Sequence, residues 1–276
     1  MPLLNIIVLS AVQGITEFLP VSSSAHLVLV PIFTGWPDQG LIIDVAVHVG
    51  TLLAVVIYFR RDVWGMIAAT GRQFRPGRRR RRGGDEFRIA MLVVAATVPA
   101  VAAGWAINEF NQDIFRGLEI IAWATVGFAI LLYLADKLSL TIKRLDHLGF
   151  AGALFIGLFQ ALALIPGTSR TGITITAARI LGMERIEAAR FSMLLSIPII
   201  IAAGSLKGWE LYQVGDVQLT NTVFTAIAIS FAFAIVTIAG FMAWLRHSGF
   251  TPFVIYRLIL GVFLLWVAYV APGFTF

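Results

Sequence analysis

Two short polar stretches lie inside strongly apolar sequence, and they hold the side chains able to do chemistry. The first is Gln13-Gly14-Ile15-Thr16-Glu17-Phe18-Leu19-Pro20-Val21-Ser22-Ser23-Ser24-Ala25-His26; the second is Ile165-Pro166-Gly167-Thr168-Ser169-Arg170-Thr171-Gly172, followed by Thr174. A carboxylate, hydroxyls, an imidazole and a guanidinium are costly at membrane depth, so their presence there points to a task. Together they suit a phosphate group. The planar fork of Arg170 binds phosphate through two parallel hydrogen bonds and stays charged at any working pH. Gly167 and Gly172 let the backbone approach a ligand closely. Ser169, Thr171 and Thr174 can donate hydroxyl hydrogen bonds, and a helix starting near Thr171 would aim N–H groups at an anion. An ion pair of Arg170 with a carboxylate such as Glu17, without any ligand, is the plainer alternative.

In the first stretch Gln13 and Glu17 are four residues apart and share a helix face. Glu17 can act as general base, or it can bind a hard divalent cation that bridges phosphate oxygens. It can equally be a helix-end carboxylate satisfied by backbone N–H groups. Ser22, Ser23 and Ser24 are each candidates for nucleophile, phosphate ligand or N-cap of a helix starting near Ala25. His26, three residues after Ser23, is on the same side of a helical turn; it can be that serine's base or attack phosphorus itself. Asp44 and His48, four apart in the first long apolar segment, can support the site from behind, bridge the repeats or face water near the helix end. Ser192 and Ser196, with Pro198, are expected to pack or to bond between helices.

The elements that must carry these residues follow from composition. Of 276 residues 59% are hydrophobic and 13% charged, and the mean hydropathy is +0.88; a soluble domain has about a quarter charged residues, so lipid is the solvent here. There is no cysteine, which excludes disulfides, thiolate nucleophiles and cysteine-bound metals. The N-terminal apolar run lacks a basic flank and leads into the first polar stretch, so it is expected to stay as part of the fold rather than be cleaved as a signal. The net charge of +6 comes mostly from Arg72 to Arg88 and reports topology rather than nucleic-acid binding.

Spanning helices need about 20 apolar residues. Six segments qualify, roughly 41–59, 87–107, 114–135, 186–206, 220–244 and 252–271. Two further apolar regions do not: 3–35 is broken by Pro20, the serine run and Pro31, and 149–182 by Pro166-Gly167. Each is expected to be a helix–loop–helix that enters the bilayer and returns on the same side, with its irregular backbone buried in protein or lining a wet cavity; a pair of ordinary kinked spanning helices is the alternative. The expected fold is an all-α integral membrane protein, a single membrane domain over 1–276.

The basic residues Arg60, Arg61, Arg72, Arg75, Arg78 to Arg82 and Arg88 put a loop at about 60–88 in the cytoplasm. Alternation then puts Lys137, Lys143, Arg144, Arg179, Arg185, Arg190, Arg246 and His247 on that side, and Glu109, Asp113, Glu210 and Asp216 opposite with Arg116 and Lys207. The two re-entrant segments then enter from opposite faces, which suggests an inverted-topology repeat of about 1–110 and 149–245. Pro20-Val21-Ser22-Ser23 aligns with Pro166-Gly167-Thr168-Ser169.

The two polar motifs in combination closely resemble those of the undecaprenyl-pyrophosphate phosphatase (bacitracin-resistance) family of integral-membrane phosphatases. The resemblance continues through Asp44-Val45-Ala46-Val47-His48-Val49-Gly50-Thr51 and Glu187-Ala188-Ala189-Arg190-Phe191-Ser192, so it covers nearly the whole chain. It implies conversion of a C55 polyprenyl pyrophosphate to its monophosphate on the outer side of a bacterial inner membrane, recycling the carrier for cell-wall synthesis. It also implies catalytic roles for Glu17, Ser23, His26 and Arg170, with Mg²⁺ or Ca²⁺ assisting. Many relatives have a second glutamate where Gln13 stands, which weakens a two-carboxylate metal site here. Thr171 replaces a common serine and keeps the hydroxyl.

The mechanism expected from these residues has Arg170 and the second-stretch hydroxyls clamping the pyrophosphate near a cation at Glu17. Ser23, activated by His26 or Glu17, attacks the terminal phosphorus; His26 as nucleophile is the alternative. A transporter or flippase for polyprenyl phosphate is the competing class, since broken helices in inverted repeats also suit transport. Lipid substrate and bilayer are the expected partners, with a homodimer as one open arrangement.

Overall fold

The computed structural model describes residues 2–36, 40–73, 84–110, 117–214 and 217–270. Among them the regular elements are helices, apart from one isolated bridge pair of Lys143 with Met183. In chain order they are α1 (Leu3–Thr16), α2 (Ser23–Thr34), α3 (Leu41–Tyr58), α4 (Arg60–Gln73), α5 (Gly84–Phe110), α6 (Leu118–Leu138), α7 (Phe150–Ala161), α8 (Arg170–Ile180), α9 (Arg185–Val214), α10 (Val217–Trp244) and α11 (Thr251–Val270). Short 3₁₀ turns at Leu145–His147 and Leu162–Leu164 flank α7.

Among the described residues four helices are long and apolar enough to cross a membrane: Gly84–Ile107, Leu118–Leu138, Thr220–Trp244 and Thr251–Val270. A fifth results if the pair Ile42–Tyr58 and Arg60–Gln73, bent by 82°, counts as one span. The chain is therefore an all-helical, multi-pass membrane protein. Large apolar side chains such as Trp105, Trp123, Ile259 and Val262 stand exposed on its outside, as lipid requires.

Sequence and structure differ in the region 60–88 and at Pro31. The region 60–88, expected as a loop, begins as helix α4, whose first turn is basic but whose later residues continue a helical pattern. Arg78 to Arg82, and with them Arg75, Asp113, Arg116 and Asp216, lie outside the described residues. Pro31, expected to break the first region, sits inside α2 near its end, where its missing N–H removes a single ladder bond.

The real breaks are at 17–22 and 165–169. Each contains a proline, which drives the preceding residue out of the helical region; Ile165 is extended at φ −79°, ψ 115°. Each then ends on a serine at positive φ, Ser22 at 73° and Ser169 at 68°. This equivalence pairs Ser22 with Ser169, one residue away from the alignment by prolines. Leu3 and Phe150, which open α1 and α7, and Gln13 and Gln160 are separated by that same number of residues.

One end of the molecule is tied by polar contacts that join five helices and the 3₁₀ turn ahead of α7. Asp136, buried at the end of α6, accepts from Arg179 Nε (3.1 Å) in α8 and from Arg185 Nε (2.8 Å) and Nη2 (3.0 Å) in α9. Arg190 in α9 pairs with Asp62 in α4 and with Glu187. Glu187 accepts from the Leu145 N–H at 3.4 Å, and Arg88 in α5 donates to the Leu148 carbonyl at 2.7 Å. The start of α7 and the end of α8 therefore belong to the same end of the molecule, and the segment between them runs out and back.

Elsewhere helices meet at small residues, the rule where apolar burial gives no net drive between helices. A Cβ on Gly50 of α3 would lie 2.0 Å from Ser230 Oγ and 2.3 Å from the Ile227 carbonyl of α10. A Cβ on Gly157 of α7 would lie 2.4 Å from the Ala96 carbonyl of α5. We expect Gly50→Ala to separate α3 from α10 at a cost of about 1–3 kcal/mol, read as a lower unfolding temperature of the purified protein in detergent.

Candidate active site

The two breaks face each other. The Gly167 N–H donates to Ser24 Oγ at 3.2 Å, and Thr171 Oγ1 donates to the Glu17 carbonyl at 3.0 Å. Gly167 sits at φ 90°, and a Cβ there would lie 2.2 Å from the Ile121 carbonyl of α6. Only glycine combines that backbone conformation with that approach.

Glu17, buried at the C-terminal end of α1, is the centre of the cluster. Its Oε2 accepts from Gln13 Nε2 at 2.9 Å and from Ser23 Oγ at 2.7 Å. Its Oε1 accepts from Arg170 Nη2 at 3.0 Å. His48 Nε2 lies 3.6 Å from Oε2. The anion thus has three donors and a nearby imidazole from four helices, which is what a carboxylate away from water needs.

Ser23 is the first residue of α2, and it bonds to Glu17 rather than to His26. His26 is held elsewhere: Nδ1 lies 2.7 Å from the Ser22 carbonyl, and Nε2 lies 2.7 Å from the Tyr256 hydroxyl of α11, whose ring stacks on the imidazole. A carbonyl can only accept, so Nδ1 carries the proton and Nε2 of the neutral ring accepts from Tyr256. The helical turn that suggested a Ser23–His26 pair instead directs the imidazole back to its own helix start. His48 likewise places Nδ1 2.7 Å from the Asp44 carbonyl; only the imidazolium could then also donate to Glu17. Asp44 thus supports His48 through its backbone.

The second stretch contributes less free hydroxyl than its sequence suggests. Ser169 Oγ caps α8 by accepting from the Gly172 N–H at 3.1 Å. Thr174 Oγ1 donates to the Arg170 carbonyl at 2.9 Å and lies 2.6 Å from Ser192 Oγ of α9. Ser192 makes the interhelical bond expected of it, and Ser196 bonds the Met193 carbonyl of its own helix. Ser22 Oγ meets Ser24 Oγ at 3.1 Å. Arg170 lies over the Phe18 ring at 5.8 Å, and its Nη1 is 3.5 Å from the Ser192 carbonyl. The arginine is therefore oriented by Glu17 and α9 while part of its fork has only a long contact.

The family model for the bacitracin resistance protein BacA matches residues 6–263, which include every residue of this cluster. The chain belongs to that family. Among its relatives, undecaprenyl-diphosphatase 1 of Rhodospirillum rubrum is 48% identical over 99% of this chain and 97% of its own length. Undecaprenyl-diphosphatase of Alcanivorax borkumensis is 49% identical over 95% and 98% respectively. Undecaprenyl-diphosphatase 2 of Stutzerimonas stutzeri is 50% identical over 96% and 98%.

In this member of the BacA family, Tyr256 and Arg257 also reach the cluster, and neither stood out in the sequence. They sit among apolar residues in a spanning helix that runs unbroken past Pro252 and Gly261. A tyrosine–arginine pair inside such a run was the one available signal. The ion pair of Glu17 with Arg170 yields a direct test. Glu17→Ala leaves a part-buried guanidinium without its anion and is expected to cost about 3 kcal/mol, the lower end for a buried pair. The double substitution with Arg170→Ala should cost less than the two singles together, by about 0.5–3 kcal/mol, measured by thermal unfolding of the four proteins in detergent.

Proposed function

We propose that this chain hydrolyses undecaprenyl pyrophosphate to undecaprenyl phosphate and inorganic phosphate, recycling the carrier lipid for cell-wall synthesis and conferring bacitracin resistance. The observation that carries this reading is the Glu17 carboxylate, with the Ser23 hydroxyl on one oxygen and the Arg170 guanidinium on the other. A binding site alone needs the arginine. A serine hydroxyl held against a carboxylate is the arrangement of a nucleophile beside its base.

In this reading Ser23 Oγ attacks the terminal phosphorus and passes its proton to Glu17 Oε2. The anhydride P–O bond breaks, undecaprenyl phosphate leaves, and water then releases phosphate from the serine. Arg170 holds the transferred group, with Nη1 turning from its 3.5 Å contact to the phosphate oxygens. Positioning and charge stabilisation are the main demands of such a transfer. His26 Nε2, covered by Tyr256, helps to place the helix start rather than attack.

Among the described residues no cluster of three or more His, Cys, Asp or Glu could hold a metal ion. Gln13 Oε1 is nevertheless buried without a partner beside Glu17. A hard cation bound through one or two protein oxygens and the substrate's own phosphates suits that set. Glu17 and Gln13 would hold Mg²⁺ or Ca²⁺, which would neutralise phosphate charge.

The same reading takes the chain across the membrane six times, with α3 and the 30-residue α9 as spans, and treats 1–110 and 149–245 as inverted repeats. The matched serines at positive φ and the common spacing of α1 with α7 support the repeat. The polar end with Arg88, Arg185 and Arg190 is the cytoplasmic one, and the site opens to the outer side of the bacterial inner membrane.

The test is phosphate release from polyprenyl pyrophosphate by purified protein with Mg²⁺, Ca²⁺ or EDTA. Wild type should release phosphate only with metal. Arg170→Lys should lose about 10²–10³-fold in kcat because the fork is gone, and Ser23→Ala should show no covalent phosphate. A phosphoryl group trapped on His26 would overturn the assignment of the nucleophile. Binding of lipid without release by folded wild type would point to transport instead.

A further inference from the structure

Arg257 in α11 is wholly buried and is among the largest buried side chains of the protein. Its Nη2 donates to the Gly167 carbonyl at 3.0 Å and to the Thr168 carbonyl at 2.9 Å. Among the described residues its Nε and Nη1 have no partner, and the Thr168 hydroxyl is also buried and unpaired. Among the described residues no carboxylate pairs with it. Nη1 lies against the first turn of α8, where a Cβ on Gly172 would come within 2.9 Å of it. That helix start also presents positive charge. A buried guanidinium beside like charge, with N–H groups unsatisfied, is costly unless an anion joins it.

The charges of the cluster show which anion. Glu17 and Arg170 cancel each other, so their pair offers little net attraction. Among the described residues Arg257 is the cation of the site that no carboxylate compensates. It sits on the carbonyls of the very loop whose Gly167 N–H meets Ser24 and whose Thr171 meets Glu17. A diphosphate carries more negative charge than a monophosphate and presents a second set of oxygens, so it gains most from a second arginine.

We infer that Arg257 is a further substrate-binding residue: its free N–H groups, with the Thr168 hydroxyl, hold the diphosphate headgroup and make the site prefer diphosphate over monophosphate. This rests on the phosphatase reading for its substrate, and it extends the site to a helix outside both polar stretches. The product then loses one of its two arginine contacts, which favours its release.

The experiment uses the full chain in detergent, with inorganic pyrophosphate and inorganic phosphate as probes. Wild type should be stabilised against heat more by pyrophosphate than by phosphate, and pyrophosphate should inhibit turnover the more strongly. Arg257→Gln should lose that difference and raise KM for polyprenyl pyrophosphate about 10–100-fold, the range for a charged hydrogen bond, with a smaller change in kcat. Thr168→Val leaves the loop carbonyls in place and should raise KM several-fold, which keeps the test open if Arg257→Gln fails to fold. Arg257→Lys should recover part of the pyrophosphate preference. Equal weakening of pyrophosphate and phosphate, or a loss confined to kcat, would reduce Arg257 to a brace for the loop and overturn the proposal. Absence of turnover in wild type that still prefers pyrophosphate would instead count against the phosphatase reading and leave Arg257 as a diphosphate ligand.

Discussion

The Glu17–Arg170 ion pair is the contact on which the centre of this molecule depends. Two helices stop short inside a membrane protein, and each stop exposes backbone groups and charged side chains away from water. The pair answers one charge with the other at 3.0 Å. Thr171 and Ser24 then satisfy backbone groups of the opposite break. Neither broken segment could hold its loop alone, because each supplies the partners that the other lacks.

That dependence explains why the catalytic candidates come from three different elements. Ser23 starts α2, Glu17 ends α1 and Arg170 starts α8, while His48 stands behind them within α3. Placing them on helix ends makes their positions precise, since helix ends are set by caps and by packed neighbours. Ser169 caps α8 through the Gly172 N–H, and α8 itself is buried along nearly its whole length. The site therefore sits on a rigid core element rather than on a surface loop, and a change in packing of α8 would reach the chemistry directly.

The polar end provides the second constraint. Asp136 receives two arginines, one wholly buried and one a third exposed, while Arg190 links α9 to α4. A buried anion with two cations holds its partners by the cost of separating them rather than by net attraction. This lock ties the end of α8 to α6 and α9, so the loop at the far end of α8 is placed from below. Glycines at Gly50 and Gly157 then let neighbouring spans close on backbone carbonyls, where apolar contact alone would not choose a partner.

The residues of the site were largely legible in the sequence because polar groups are so costly among apolar ones that their position alone marks them. Glu17, Ser23, Arg170, Gln13 and His48 all meet within one cluster, and the short lengths of α1 and α7 follow from the same apolar runs. The partnerships were not legible. Ser23 and His26 are one turn apart, yet the tertiary fold brings Glu17 to the serine and Tyr256 to the histidine from 230 residues away. Ser169 and Thr174 carry the hydroxyls expected of ligands, but their own helix and α9 use them. By itself the sequence determined the solvent, the helical class, the two breaks and the inventory of polar groups, since these follow from hydropathy, proline and glycine along the chain. Which group each polar atom meets, and that Arg257 of the last helix joins them, was decided only by tertiary packing, because hydrogen bonds between helices depend on distances that no local pattern encodes.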